Sequence, residues 1–584
     1  MPEPLGEISC RILARGLRRL VGDVAPSPEA APFRSCCHPS APSVAIGELN
    51  EFAATRRTRP PRVLAFCASE SARPRCYSRG KARQRPALEE QLVRQIAEAR
   101  ARGRDDARPG LVEGAHRRQR LTARERLTAL FDAASFIEYG ALAGATTQPD
   151  DDAFADGLVG GVGLVRGQPV AGASYDLSVR GGTQSDRNQR KMAKLLYLAV
   201  EHRWPFVCFV DGGGARSDDP APPPPIAVTP RGRFDLYDGL AELNGWAPTV
   251  AIASGRSIDG HAGIAMLSDL VIATRTAEFG TQEGYFRGAT EYAKSGDVDV
   301  LVDGEADAIA AARSYLALFV ANDVPGAPAV GADTIADLIP ENRRRPYDMR
   351  RVVEAFADAD TVFELGAAWG RSMLTALARL EGRTVGIFAN QPKSPLAGAI
   401  DAAAADKASR FVELCDAYDY PLVSFVDNPG YMVGPQAERE GIARHHARPL
   451  AALHHRSVPL CSVQIRKAYG LGPYAMSGWG AARRVPEMRL AWPSVESGGM
   501  SLEGAAYLVK RKEILAAATR EEAMAIRNGY AERMRDAASG LRAGRSYQFD
   551  DIITPSDTRA TISTLLRRIP RQRSPTKKHA IDPR

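Results

Sequence analysis

Two stretches decide the fold. One is Pro205-Phe206-Val207-Cys208-Phe209-Val210-Asp211-Gly212-Gly213-Gly214-Ala215-Arg216, and the other is Pro421-Leu422-Val423-Ser424-Phe425-Val426-Asp427-Asn428-Pro429-Gly430-Tyr431. Each opens on a proline, runs through consecutive apolar residues, and ends on aspartate followed by glycine. A short run that is apolar on both faces of the pleat predicts a buried parallel strand. The glycines predict a tight turn at its C-terminal end.

The surroundings of the two strands repeat as well. Upstream of the first lie Arg124-Glu125-Arg126-Leu127, then Ser135-Phe136-Ile137-Glu138, a hairpin over Gly160–Val170, and Gly181-Gly182-Thr183. A helix follows with Ser185 as N-cap and Met192, Leu195, Leu196 and Ala199 on one face. Upstream of the second lie Met349-Arg350-Arg351-Val352, Thr361-Val362-Phe363-Glu364, a hairpin turning at Gly382-Arg383, and a helix with Phe411, Val412, Cys415 and Tyr418 on one face. Downstream, Thr249–Ala253 leads into Gly260-His261-Ala262-Gly263, and Leu460–Ile465 leads into Arg466-Lys467-Ala468-Tyr469-Gly470-Leu471-Gly472. An offset of roughly 220 residues predicts a duplicated α/β domain. The expected boundaries are a disordered or non-native extension over 1–85, halves over 86–340 and 341–575 joined by Pro340–Pro346, and a solvated basic tail over 576–584. Asp218–Pro225, with four consecutive prolines, reads as an extended surface loop.

Composition narrows the class. The chain is 44% hydrophobic and 25% charged, with net charge +8, a globular balance whose basic excess suits an anionic ligand. Much of that excess sits at the termini, which argues against nucleic-acid binding. Five of eight cysteines fall before residue 85, and Cys208, Cys415 and Cys461 lie in apolar runs, as buried thiols of a cytoplasmic protein would. No apolar stretch approaches the roughly 18–20 residues of a membrane span.

The residues at the strand ends narrow the chemistry. The sequence has no GxSxG elbow, no Walker A lysine loop and no HExxH helix. Gly161–Arg166 fails the dinucleotide pattern at its last glycine. His445-His446 and His454-His455 fall on a helical segment without a nearby acid or thiol in the sequence, so no metal is expected. What remains is glycine turns after buried strands. Such turns leave backbone N–H groups unpaired, and these can hold an oxyanion. A set in each half suits a reaction in which two carbonyl oxygens gain negative charge, such as an acyl thioester enolate meeting a carboxylated urea. Any one turn alone reads equally as a plain tight turn.

The second half resembles the carboxyltransferase β subunits of the biotin-dependent acetyl-, propionyl- and methylcrotonyl-CoA carboxylases. The likeness is carried by Asn390-Gln391-Pro392, Phe425–Tyr431, Gly441-Ile442-Ala443-Arg444-His445, Arg466–Gly472 and Ala491-Trp492-Pro493. In the first half it is carried by Leu121–Arg126, Gly181-Gly182-Thr183 and Gly212–Arg216. The resemblance implies two crotonase-like (ClpP/crotonase) domains of ββα units. It implies carboxyl transfer from carboxybiotin to the α-carbon of a short-chain acyl-CoA. The thioester oxyanion would rest on the amides of Gly181 and Gly182, and the biotin ureido oxygen on those of Leu471 and Gly472. Gly213, Gly214, Ala215, Arg216, Gly260, His261, Tyr469, Gly470 and Tyr474 would line the substrates. Biotin would arrive on a partner, since the chain has neither an Ala-Met-Lys-Met acceptor nor an ATP-grasp region. The implied partners are a biotin carboxylase, a biotin carboxyl carrier subunit and further copies of this chain in a hexamer.

Several residues depart from the family pattern. Pro473 has no N–H, Tyr474 stands where many relatives carry Asp, His261 falls in a usually Gly- or Asn-like turn, and Glu283–Lys294 replaces a Gly-rich stretch. Two alternatives stay open on these departures: an acyl-CoA decarboxylase, with or without biotin, and a non-catalytic structural paralogue. Arg216 is either a contact to a CoA phosphate at a helix start or a solvated cation. His261 either orients a ligand or merely occupies the surface or packing of its turn. Asp427 is expected to order the turn at the end of its strand.

Overall fold

The computed structural model describes residues 87–583, apart from 145–152, 217–234, 283, 322–325, 329–330, 332–333, 344, 479–486, 538 and 571–572. The expected disorder of 1–85 and the proline loop at 218–225 therefore lie outside the described residues.

Two sheets of the same plan carry the chain. The first holds β1 (Ile137–Glu138), β2 (Leu158–Val165), β3 (Gln168–Tyr175), β4 (Phe206–Phe209), β5 (Thr249–Ala253), β6 (Leu270–Thr274) and β7 (Val300–Val302). They stand side by side in chain order, the first three antiparallel and the rest parallel. The second holds β8 (Phe363–Leu365), β9 (Met373–Leu380), β10 (Arg383–Asn390), β11 (Leu422–Asn428), β12 (Leu460–Tyr469), β13 (Glu487–Ala491) and β14 (Asp551–Ile552), with the same order and the same switch of direction. A short strand, Glu496–Gly498, pairs beside the end of β12. In the first half Glu278–Gln282 pairs likewise beside Arg256–Ile258.

Helices fill the crossovers, as parallel strands require. In the first half, α1 (Ala123–Leu130) starts on a capping box between Thr122 and Glu125, and α2 (Asp186–His202) starts on Ser185, with Met192, Leu195, Leu196 and Ala199 all buried. In the second half, α3 (Met349–Phe356) and α4 (Ala402–Ala417) start on Asp348 and Asp401, whose side chains accept from backbone amides. Phe411, Val412 and Cys415 of α4 are buried, with Tyr418 as its C-cap.

The duplication extends to individual contacts. Arg124 pairs with Glu138, and Arg350 with Glu364. Asp132 accepts the Gly167 amide at the tip of one hairpin, and Asp358 the Gly382 amide at the tip of the other. Arg313 bridges Asp132 and the Leu130 carbonyl, as Arg559 bridges Asp358 and the Phe356 carbonyl. Lys191 and Lys407 each donate to several main-chain carbonyls, and burial lowers both to about 8. Each hairpin turns on two left-handed residues, Arg166-Gly167 and Glu381-Gly382, the geometry whose twist suits paired strands. The second turn therefore sits one residue earlier than the expected Gly382-Arg383.

A core shared between the sheets runs from Leu127, Phe209 and Ile272 to Phe388, Phe411 and Leu460. Ile581, 2% exposed, belongs to it. This corrects the expectation of a solvated tail over 576–584. Lys578 pairs with Asp419 at 2.5 Å, His579 bonds Asp416 at 3.0 Å, and Asn244 bonds the Ile581 amide and carbonyl. Asp582 meets Arg448 at 3.0 Å. The tail crosses from the first half to the second because its basic residues find acids of α4 and the residues after it.

Candidate active site

The strand-end aspartates anchor the site. Asp211, fully buried, takes Arg126 at 2.6 Å, the Ser254 amide and hydroxyl, and the Gly255 amide at 2.8 Å. Burial alone would raise its carboxyl, but Arg126 and these donors hold it below the usual range. Asp427, equally buried, takes Tyr347 at 2.8 Å and Arg466 at 2.9 Å. Asp211 thus orders the turn at Ser254-Gly255, whereas Asp427, expected to order its own turn, instead ties Tyr347 and Arg466 to the strand end.

The residues expected on the acyl-CoA side come together. Arg180, Gly181 and Gly182 all take positive φ, at 48°, 65° and 67°, so three successive residues coil left-handed. Only glycine does this without cost. Gly182 is also closely packed, since a Cβ would sit 3.1 Å from the Asp211 carbonyl oxygen. The Gly181 carbonyl accepts the Gly213 amide at 3.1 Å, and the Gly182 carbonyl meets Nε2 of His261 at 3.0 Å. Among the described residues the Gly181 amide has no hydrogen-bond partner. The Gly182 amide differs from expectation, because the tight turn turns it inward onto the Val179 carbonyl at 2.9 Å. Gly181, Gly212, Gly213, Arg120, Arg256 and Glu278 border a cavity of about 390 Å3.

Gly214, Ala215, Arg216, Gly260 and His261, also expected to line the substrate, do not border that cavity. Arg216 is not a solvated cation, its side chain being 3% exposed. Its guanidinium is buried on Asp156 at 2.7 Å and also bonds Thr183, so it fastens the turn from behind. Gly214 gives its amide to Nδ1 of His261 at 3.3 Å. His261 itself is fully buried, between the two turns, and burial lowers it to about 4 despite its bond to the Gly182 carbonyl. Ala215 is exposed and bridges Gln184, while Gly260 is buried, a Cβ there colliding with Gln184.

The biotin-side residues form a second cluster. Gly470, Pro473, Tyr474, Ser497 and Gly499 border a cavity of about 520 Å3. Among the described residues the Leu471 and Gly472 amides have no hydrogen-bond partner. Leu471 is 52% exposed, and Gly472 is buried where a Cβ would collide with Asn428. Pro473 occupies the first turn of the helix Gly472–Ser477, where its missing N–H removes no intrahelical bond. The Gly470 amide goes to the Gly498 carbonyl at 3.0 Å. Tyr469 departs from expectation: its side chain is buried and its hydroxyl bonds Glu496, itself tied to Arg535 at 2.7 Å. Strand alternation turns it away from the cavity that Tyr474 faces.

Sequence reasoning missed Asp156, Gln184, Asn428 and the Ser497–Gly499 run. Only Asn428 had a signal, as part of the strand-end motif. Two further expectations change. His445 does have an acid beside it, Asp406 at 2.8 Å from α4. Glu283–Lys294 is partly a hairpin, Glu278–Gln282 with Tyr285–Gly288, followed by the helix Ala289–Ser295.

Comparison with known proteins agrees with this architecture. The carboxyl transferase domain model matches residues 114–581 of the 584. The methylmalonyl-CoA carboxyltransferase 12S subunit of Propionibacterium freudenreichii subsp. shermanii is 33% identical over 521 residues, 84% of this chain and 97% of that one. The transcarboxylase 12S crystal structure, described as a hexamer with methylmalonyl-CoA and methylmalonic acid bound, superposes with TM-score 0.70 at 31% identity, over 86% of this chain and 99% of that one. A single-chain, multi-domain long-chain acyl-CoA carboxylase superposes with TM-score 0.74 at 35% identity over 82% of this chain, which spans about half (49%) of that chain's length. With four out of five of its residues under one family model and two sheets of the crotonase plan, this chain belongs to the carboxyl transferase domain family, the biotin-dependent acyl-CoA carboxyltransferases.

Proposed function

We propose that the first sheet (residues 86–340) receives the acyl-CoA and the second (341–575) receives biotin, each oxyanion resting on main-chain amides. The observation that carries this reading is the pair of open amide sets, Gly181 in one half and Leu471 with Gly472 in the other. An amide held by the fold before the reaction stabilises developing charge without reorganising. Gly181 would take the thioester oxygen as it becomes an enolate. Leu471 and Gly472 would take the ureido oxygen, and the cavity beside them has room for a bicyclic urea. Carboxybiotin, when bound there, supplies the carboxyl group, and its ureido nitrogen the base. No group of this protein then needs to change its protonation, in keeping with strand-end aspartates that are buried and paired. The cavity wall, where Arg120 stands beside Arg256 paired with Glu278 at 2.8 Å, keeps a net positive charge that suits an anionic thioester.

Biotin would be carried on a partner, with a biotin carboxylase and a carrier subunit supplying it. Copies of this chain would assemble as the transcarboxylase 12S does. Among the described residues no helix is long and apolar enough to cross a membrane, and we place the protein in the cytoplasm.

The test is decarboxylation of malonyl-CoA and methylmalonyl-CoA by the purified chain, with and without free biotin. Turnover only with biotin is expected. Turnover without biotin would make the protein a decarboxylase. No turnover, together with no CoA binding by calorimetry, would make it a structural paralogue.

A further inference from the structure

We infer that His261 is a positioning residue: its neutral imidazole clamps the two glycine turns of the first half together and so fixes the open Gly181 amide. The inference rests on the acyl-CoA reading of that half. It starts from the lengths of the two bonds. Nε2 lies 3.0 Å from the Gly182 carbonyl, which can only accept, so Nε2 carries the proton. Nδ1 lies 3.3 Å from the Gly214 amide, which can only donate, so Nδ1 is bare. One tautomer satisfies both, and protonation would break the second bond.

The site is built around this ring. A Cβ on Gly212 would collide with it, so Gly212 makes its room. Tyr175 meets the ring edge-on at 4.3 Å, and Tyr175 in turn receives Gln184. The clamp acts where the backbone needs it. The left-handed run Arg180–Gly182 is sparsely populated by free chains and persists only when its surroundings hold it. Gly213 holds the carbonyl of Gly181 and His261 holds that of Gly182, leaving the Gly181 N–H as the one donor of the pair aimed outward.

The second half reaches its open amides differently. The bridge Gly212↔Ser257 of the first half matches Asn428↔Ala468 of the second. Pairing of Arg256–Ile258 with Glu278–Gly280 matches that of Lys467–Tyr469 with Glu496–Gly498. Counting on from these registers puts His261 opposite Gly472. The side chain has changed sides: His261 faces Gly212 in one half, and Asn428 faces Gly472 in the other. So the position that offers an open amide in the second half holds a clamp in the first.

Two variants of similar volume separate packing from hydrogen bonding. His261→Gln keeps a donor and an acceptor, and His261→Met keeps neither. Each is assayed beside wild type for biotin-dependent decarboxylation, with kcat and KM for the acyl-CoA and the folded fraction measured together. We expect His261→Met to lose about 10- to 100-fold in kcat, the scale of a misplaced oxyanion donor, with KM changed less than about threefold. His261→Gln should recover most of that loss. An equal kcat in all three proteins, or a loss in both variants that tracks the folded fraction, would overturn the clamp. An inactive wild type that also fails to bind CoA would remove the acyl-CoA reading beneath it, a result separate from any variant effect.

Discussion

The two halves share a scaffold and differ at the turns. Arg124–Glu138 and Arg350–Glu364, Asp132 and Asp358, Lys191 and Lys407 are the same contacts made twice. The turns preceding α2 and α4 are also equivalent, Gly181-Gly182 matching Ala397-Gly398, all with positive φ. Yet in the second half both amides of this turn are taken, Ala397 by the Ser394 carbonyl at 2.9 Å and Gly398 by its hydroxyl at 3.3 Å. That half opens its amides one crossover later, at Leu471 and Gly472. Among the described residues the first-half equivalents of Leu471 and Gly472, the Gly260 and His261 amides, are also without a hydrogen-bond partner, so the halves differ in hydrogen bonding at the earlier turn.

The largest test of this comparison is at the anchors. Arg126→Met leaves Asp211 and Glu305 buried without their cation, and should cost about 3–5 kcal/mol in urea unfolding. Arg466→Met strands one carboxylate, Asp427, where Arg126→Met strands two, and should cost less. Equal losses would mean the anchors carry equal loads.

Gly472→Ala drives a methyl onto Asn428. It should lower biotin-dependent turnover about 100-fold, near the effect of losing an oxyanion donor, while calorimetric CoA binding stays unchanged. Weakened CoA binding would break the division of labour between the halves.

A third test uses acid. His261 stays neutral in the fold down to about pH 4, whereas the unfolded chain protonates near 6.5. Its folded value is depressed, so stability is complete above pH 6.5 and is lost as pH falls towards 4. The expected loss is ~3 kcal/mol by linkage. Desolvation dominates, opposed by the Gly182 and Ile258 carbonyls and by the negative charges of Asp211 and Asp259. His261→Gln should flatten this part of the urea-midpoint profile, and Gly472 offers the second half nothing that titrates there.

The smallest effect concerns what joins the halves. Ile581→Ala should lower stability by about 2 kcal/mol, at the low end for a buried isoleucine, measured by urea unfolding. An unchanged midpoint would show that the halves hold together without the tail.

Much of the fold was legible because its signals are local. Ser185 caps its helix with its own neighbours, and the proline-led apolar runs became β4 and β11. The open amides were legible only in part. Whether Gly182 or Gly181 faces outward depends on Val179, Gly213 and His261, the last two supplied by later crossovers. Tyr469 and Tyr474 are equally polar and aromatic in sequence, but one ends a strand with its hydroxyl on Glu496 and the other lies in the helix that follows. The tail misled because the acids that neutralise it, Asp416 and Asp419, lie more than 150 residues before it. His261 read as an isolated turn histidine until the strand registers set it opposite Gly472.

That reciprocal exchange bears on how such a chain can vary. Copying the first half's His261 into the second puts an imidazole where Asn428 already stands. Copying Asn428 into the first puts an amide against His261. Either replacement alone jams a turn, and only both together restore room. Exchange between the two repeats is therefore tolerated at this pair only when it carries both positions at once.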